Sequence, residues 1–191
     1  MLIVFVSLAP AAVIDREFSE EVQEFHHPLF DSMMKLVSYP GYVPYAPIMV
    51  IIIAFVFYTL KYKREALFLL LTMLSGLVST IVKFLVNRPR PGSDTVKIAI
   101  ETHQQSFPSG HVMFYVIFFG FLILLMYMLK SINKPLRIVV GVISMVMIFT
   151  IPISRIYLGA HWLTDVLGAF LLGMLCLYPL AYFYLKKQQQ G

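Results

Sequence analysis

A single cysteine among 191 residues excludes a disulfide framework and any cysteine-built metal centre within one chain. That residue, Cys176, lies in a late apolar stretch, where the burial preference of a free thiol makes it a packing residue. Charge is also scarce. Asp, Glu, Lys and Arg together make up 13% of the chain, whereas a soluble domain carries about a quarter. With 59% hydrophobic residues and a mean hydropathy of +0.80, the composition is that of a membrane protein. The net charge of +5 is spread over dispersed basic residues, so a nucleic-acid partner is excluded. The length suits a single domain over residues 1–191.

What is abundant is apolar sequence in runs. A helix needs about 20 apolar residues to cross a bilayer. Five runs qualify: Pro44–Leu60, Ala66–Val86, His111–Leu129, Leu136–Ile153 and Trp162–Leu185. A sixth, Leu2–Ile14, is short and interrupted by Pro10. It reads as a first membrane helix in preference to a signal peptide, because no basic stretch precedes it. The expected fold is therefore all-α, an integral membrane bundle of about six spans. Between Asp15 and Tyr39, Phe18, Val22, Phe25 and Leu29 recur at helical spacing, with Asp15, Glu17, Glu20, Glu21 and Glu24 filling much of the rest. This predicts an amphipathic helix at the membrane surface or packed on the bundle. His26 and His27, with no carboxylate spacing to make a metal site, read as surface residues.

Basic residues in short loops set orientation. Lys61, Lys63 and Arg64, then Lys130, Lys134 and Arg137, then Lys186 and Lys187 fall on one side in this count, the cytoplasm, with both termini. The Asn87–Phe107 loop and the Ser154–His161 connection then lie outside. Lys83, Arg88 and Arg90 are basic residues on that outer side, so topology does not account for them.

Three polar groups converge there. Lys83 precedes Asn87-Arg88-Pro89-Arg90-Pro91, in which two prolines hold Arg90 in an extended segment. Pro108-Ser109-Gly110-His111 stands at the start of an apolar helix, where free N–H groups and partial positive charge favour an anion. Ser154-Arg155 is followed by His161 and Asp165, four residues apart and so on one helix face. By itself that pair reads equally as a structural helix-end pair or as an imidazole supported by a carboxylate. Lysine and two arginines match the charge of a phosphoryl group, and two histidines suit attack at phosphorus and protonation of the leaving oxygen. Arg88 is a possible second-phosphate or headgroup contact, or a solvated loop charge. His103 reads as an ordinary loop residue. Tyr115 and Tyr157 could line a lipid entrance, though aromatic residues are common at membrane interfaces.

Lys83 with Arg90-Pro91, Pro108-Ser109-Gly110-His111, and Ser154-Arg155 with His161 and Asp165 together resemble the type 2 phosphatidic acid phosphatase superfamily. The resemblance spans Lys83 to Asp165. It implies that His161 is a nucleophile forming a phosphohistidine, that Asp165 orients it, and that His111 is the general acid. Lys83, Arg90, Ser109, Gly110 and Arg155 would bind phosphoryl oxygens. It implies no metal and no cofactor, since the positive groups meet the electrostatic need that Asp94 and Glu101 could otherwise answer through Mg²⁺. The implied activity is hydrolysis of a lipid phosphate or lipid pyrophosphate in the bilayer, with no protein partner required. Phosphatidylglycerol phosphate and undecaprenyl pyrophosphate are favoured, because the small size and minimal loops suggest a prokaryotic enzyme; the loop charges then place it in the inner membrane with its site facing outward. A phosphotransferase using the same phosphohistidine, and a non-catalytic lipid-binding or transport protein, are the alternatives.

Overall fold

Apolar runs separated by short polar turns leave the backbone one way to satisfy its hydrogen bonds in lipid, and the chain takes it. The computed structural model describes residues 13–24, 27–92, 96 and 105–186. Its elements are α1 (Val13–Gln23), α2 (Pro28–Ser38), a 3₁₀ turn (Tyr39–Gly41), α3 (Tyr45–Thr59), α4 (Lys63–Leu71), α5 (Leu74–Val86), α6 (Gly110–Met128), α7 (Lys134–Tyr157) and α8 (Leu163–Lys186). The all-α membrane architecture expected from the sequence is thus present. The short first span expected at Leu2–Ile14 falls outside the described residues except for Val13 and Ile14. So do Phe25, His26, Asp94, Glu101, His103 and Lys187.

Among the described residues four helical stretches are long and apolar enough to cross a membrane: Lys63–Val86, α6, α7 and α8. The first of these is α4 and α5 joined across Thr72 and Met73. There the hydrogen bonds tighten to i→i−3, and the Thr72 hydroxyl bonds to Leu69 O at 2.6 Å. The expected span at Pro44–Leu60 needs correction. Helix α3 has 15 residues, about 22 Å at 1.5 Å per residue, against a hydrocarbon core of about 30 Å. It reaches spanning length only together with Pro28–Gly41, and that pair is bent by 62°. The span expected at Leu136–Ile153 runs further, while the last one falls within a residue of its expected bounds. Helix α7 carries Ser154 and Arg155 in its final turn, so the connection to α8 shrinks to residues 158–162.

Helix α6 is apolar on all sides and sits at the centre, packed chiefly on α7 and α8. Gly173 brings α8 close to it, because a Cβ there would meet Val116 Cβ at 2.9 Å. Cys176 packs at the edge of the same core. Helices α7 and α8 instead leave long apolar faces exposed, as lipid-facing helices do: Leu171, Leu175 and Tyr178 are all more than half exposed.

The Asp15–Tyr39 segment is amphipathic and packed on the bundle, one of the two placements expected, but it is not one helix. It forms two helices, divided before Pro28, which starts α2 with the His27 imidazole accepting the Leu29 N–H at 3.2 Å. Helix α1 is also turned inside out relative to a soluble amphipathic helix. Asp15, Ser19 and Gln23 are buried, while Val13, Ile14 and Phe18 are exposed. Polar groups that would be costly in lipid find partners in the bundle, and the apolar face turns outward.

The two ends of the bundle differ in kind. At one end the basic connections gather. Tyr62 OH lies 2.7 Å from Ser131 Oγ, Arg64 donates to Tyr184 O, and Tyr184 OH donates to Glu65 at 2.9 Å. At the other end lie Asn87–Arg90, Ser106–His111 and Arg155–Asp165.

Candidate active site

Local chain geometry delivers each polar group to that second end. Helix α5 stops because Asn87 adopts a left-handed conformation, φ 48°, and its N–H returns to Lys83 O at 2.9 Å. This leaves Lys83 in the last turn and sends Arg88–Pro91 across the end of the bundle. The chain returns where Ser106 N–H bonds Arg88 O at 2.8 Å, and Ser109 takes the N-cap position of α6. Gly110 and His111 are then the first two residues of α6. Arg155 hangs from the end of α7. His161 lies in the turn just before α8 and not on the helix itself, which corrects the expectation that it shares a helix face with Asp165.

These elements enclose a cavity of about 680 Å³. Its walls include Lys83, Arg90, Gly110, His111, Arg155 and His161, six of the residues singled out in the sequence. Tyr42, Ser75 and Ser79 line it too, and Val43, Ala46, Pro47, Met73 and Phe114 supply apolar wall. Ser109 is fully buried but not part of the wall, and its hydroxyl has no partner among the described residues.

Each cation is held from behind. Lys83 Nζ donates to Gln105 O at 2.7 Å. Arg90 donates to Ala160 O at 2.6 Å and faces His161 Nε2 at 3.4 Å. Burial, then the Arg155 guanidinium, brings Arg90 down to about 10, so it remains charged at neutral pH. Arg155 donates to Tyr42 OH at 2.9 Å and to Ser38 Oγ at 3.1 Å. Ser154 Oγ gives its proton to Met34 O at 2.6 Å, so across the 2.7 Å Ser38–Ser154 contact it is Ser38 that donates. The chain Arg155→Ser38→Ser154→Met34 O is therefore fully ordered.

His161 is buried, with Nδ1 3.6 Å from Asp165 Oδ2. A guanidinium can only donate, so Nε2 facing Arg90 presents its lone pair and Nδ1 carries the proton toward Asp165. Burial outweighs the support of Asp165 and pushes the imidazole down to about 3, so His161 is neutral. Asp165 is fully enclosed. It accepts from Trp162 N–H at 2.9 Å, from Ser106 Oγ, and from Arg88 Nη1 at 2.5 Å. The Trp162 bond is a capping contact from the third residue of α8 back to its N-cap.

Arg88 is the clearest correction. It is neither the second-phosphate or headgroup contact nor the solvated loop charge that the sequence suggests, because it is 2% exposed and does not line the cavity. It bridges Asp165 and Asp15, the latter at 2.7 Å. Tyr115 and Tyr157 likewise form no lipid entrance. Both are buried, with Tyr115 OH donating to Val37 O at 2.7 Å and Tyr157 OH to Asp31.

Sequence reasoning missed several members of the site: Asp15, Ser38, Gly41, Tyr42, Ser79, Ser106 and Thr164. Of these only Ser79 carried a readable signal, since it stands one turn before Lys83 on the same helix face. Among the described residues no group of three or more His, Cys, Asp or Glu side chains is placed to hold a metal ion.

A membrane-embedded bundle with a cavity walled by two histidines and three cations is built to bind an oxyanion and exchange protons with it. The chain belongs to the PAP2 superfamily, whose sequence model matches residues 64–189. It is an enzyme of the membrane lipid-phosphatase class. Over 166 residues it is 32% identical to phosphatidylglycerophosphatase B of Bacillus subtilis (strain 168), covering 84% of this chain and 78% of that one. The crystal structure of a transmembrane PAP2-type phosphatidylglycerolphosphate phosphatase from Bacillus subtilis superposes with a TM-score of 0.79 at 25% identity, covering 96% of this chain and 94% of that one. Aquifex aeolicus LpxE superposes with a TM-score of 0.70 at 25% identity, covering 90% and 96%.

Proposed function

We propose that this protein hydrolyses the terminal phosphate of a lipid phosphate or lipid pyrophosphate through a phosphohistidine on His161. The observation that carries the reading is the meeting of His161, His111, Lys83, Arg90 and Arg155 on the wall of one cavity that is otherwise largely apolar. Cations hold the phosphoryl oxygens, and the apolar wall accepts the adjoining lipid.

In the first step His161 Nε2 attacks phosphorus with its lone pair, and the bond from phosphorus to the leaving oxygen breaks. His111 delivers a proton to that oxygen, and Asp165 supports the positive charge that develops on the His161 ring. In the second step water attacks phosphorus, His111 takes its proton, and the bond from phosphorus to His161 Nε2 breaks, which returns the lone pair to the ring and releases inorganic phosphate. Lys83, Arg90, Arg155 and the Gly110 N–H stabilise charge on the equatorial oxygens in both steps, whereas Ser109, buried behind the wall, serves as the N-cap residue of α6. The chemistry uses neutral His161, the form that burial favours.

Phosphatidylglycerol phosphate is the first substrate to test, supported by the similarity to a phosphatidylglycerophosphatase, and undecaprenyl pyrophosphate is the second. The basic connections gathered at the far end of the bundle support a cytoplasmic assignment for that end. The cavity then opens on the extracytoplasmic side of a prokaryotic inner membrane, and residues 1–191 act as one unit. Purified protein should release phosphate from at least one of phosphatidylglycerol phosphate, undecaprenyl pyrophosphate, phosphatidic acid and a lipid A phosphate. His161→Ala should abolish that release, and undiminished turnover by the folded variant would overturn the reading.

A further inference from the structure

The carboxylate that supports His161 is tied to a second buried carboxylate 150 residues away in the chain. Asp15, on α1, is fully buried. Its Oδ1 accepts the Thr164 backbone N–H at 2.9 Å, an otherwise orphaned donor in the first turn of α8. The Thr164 hydroxyl lies 2.9 Å from Asp15 Oδ2 and accepts from Arg88 Nη1 at 2.8 Å. Arg88 reaches Asp15 with Nη2 and Asp165 with Nη1. One guanidinium therefore serves two carboxylates, and a hydroxyl locks the three together.

We propose that Asp15 is a positioning residue for the His161–Asp165 pair, acting through Arg88 and the N-terminus of α8. This rests on the reading of His161 as the nucleophile. Two physical effects make the connection. Asp15 caps α8 from outside its own chain segment, which fixes the first turn that carries Asp165 and the preceding turn that carries His161. It also takes a share of the Arg88 charge. Without that share the guanidinium would bind Asp165 alone, and Asp165 would support the developing His161 cation less well. Helix α1 is then part of the catalytic apparatus, and its inverted burial follows from that duty.

The test is Asp15→Asn, which keeps the size of the side chain and an oxygen for the Thr164 N–H but removes the charge. Folded protein, verified by its thermal transition, should show kcat reduced about tenfold with KM within about twofold, because the loss falls on the transition state and not on lipid binding. Asp15→Glu should recover part of the lost kcat. A purely structural Asp15 would instead lower the melting temperature and leave kcat per folded molecule unchanged, which would overturn the proposal. If Asp15→Asn does not fold, Thr164→Val carries the test. It removes the bridging hydroxyl while keeping the shape, and should lower kcat about threefold at constant KM; an unchanged kcat there would equally overturn it. Wild-type turnover in these variants alongside an inactive His161→Ala would sink the role of Asp15 and leave the nucleophile standing.

Discussion

Gly41 faces the imidazole of His111 so closely that a Cβ at position 41 would lie 2.4 Å from the ring's Cδ2 and 2.9 Å from Tyr115 Cε2. The Tyr42 ring meets His111 from the next residue, centroids 4.6 Å apart and edge to face. The 3₁₀ turn therefore acts as a backstop for the proposed general acid. Gly41→Ala must push the His111 ring from its place, since Tyr115 is itself held by its bond to Val37 O. A shift near 1 Å is enough to cost about 100-fold in rate. Phosphate release by Gly41→Ala should fall by that order while the protein still folds, and wild-type kcat would show that the ring position does not matter.

His111 and His161 should separate by leaving group. A leaving alcohol needs a proton, whereas a leaving group of low pKa departs without one. His111→Ala should lose about 10²–10⁴-fold on an alkyl lipid phosphate, the range of general acid catalysis, and far less on an aryl phosphate such as p-nitrophenyl phosphate. His161→Ala should be inactive on both. Equal losses on the two substrates in His111→Ala would remove it from the acid role.

The low His161 value has a consequence for stability against pH. In the unfolded chain the imidazole titrates near 6.5, while in the fold it is pushed down to about 3. Between those values the unfolded state binds a proton that the folded state refuses. Stability from this residue is complete above pH 6.5 and is lost as pH falls, by about 2 kcal/mol between pH 7 and pH 5. Melting temperatures measured at both pH values should drop less in His161→Gln than in the parent. Equal drops would mean that His161 is already protonated in the fold.

Ser79 is 4% exposed, lines the cavity, and its hydroxyl has no partner among the described residues. It sits one turn before Lys83 and 3.4 Å from where a Cβ on Gly110 would stand. That places an unused donor beside the N-terminus of α6 and the proposed phosphate. Ser79→Ala should raise KM about five- to tenfold, the value of roughly one hydrogen bond, with little change in melting temperature because no internal bond is lost. An unchanged KM would assign the hydroxyl no part in binding.

Much of the site was legible in the chain because each motif is local. Prolines beside Arg90 and a helix start at Gly110 are short-range instructions that lead to the same end of the bundle; His161 and Asp165 also meet there, but across the start of α8 and not along one helix face. Arg88 shows where this stops. Its charge was visible, but a residue next to a phosphate-binding arginine reads as another anion contact until Asp15 is brought against it. In the Asp15–Tyr39 segment the amphipathic periodicity was legible, but the break before Pro28 and the turning of Asp15, Ser19 and Gln23 into the bundle were not, because the partners of Asp15 and Gln23 lie far along the chain.

The sequence by itself determined the medium, the helical backbone and the chemistry. Apolar runs of bilayer length admit helices, and lysine, arginine and histidine at helix ends admit an oxyanion. Only the tertiary structure decided which buried charges face the cavity and which face one another. Arg90 and Arg155 point to the cavity, while Arg88, two residues from Arg90, is held between two carboxylates. Such partners come from α1 and α8, far apart in the chain, and the cost of leaving a charge unpaired away from water brings them together.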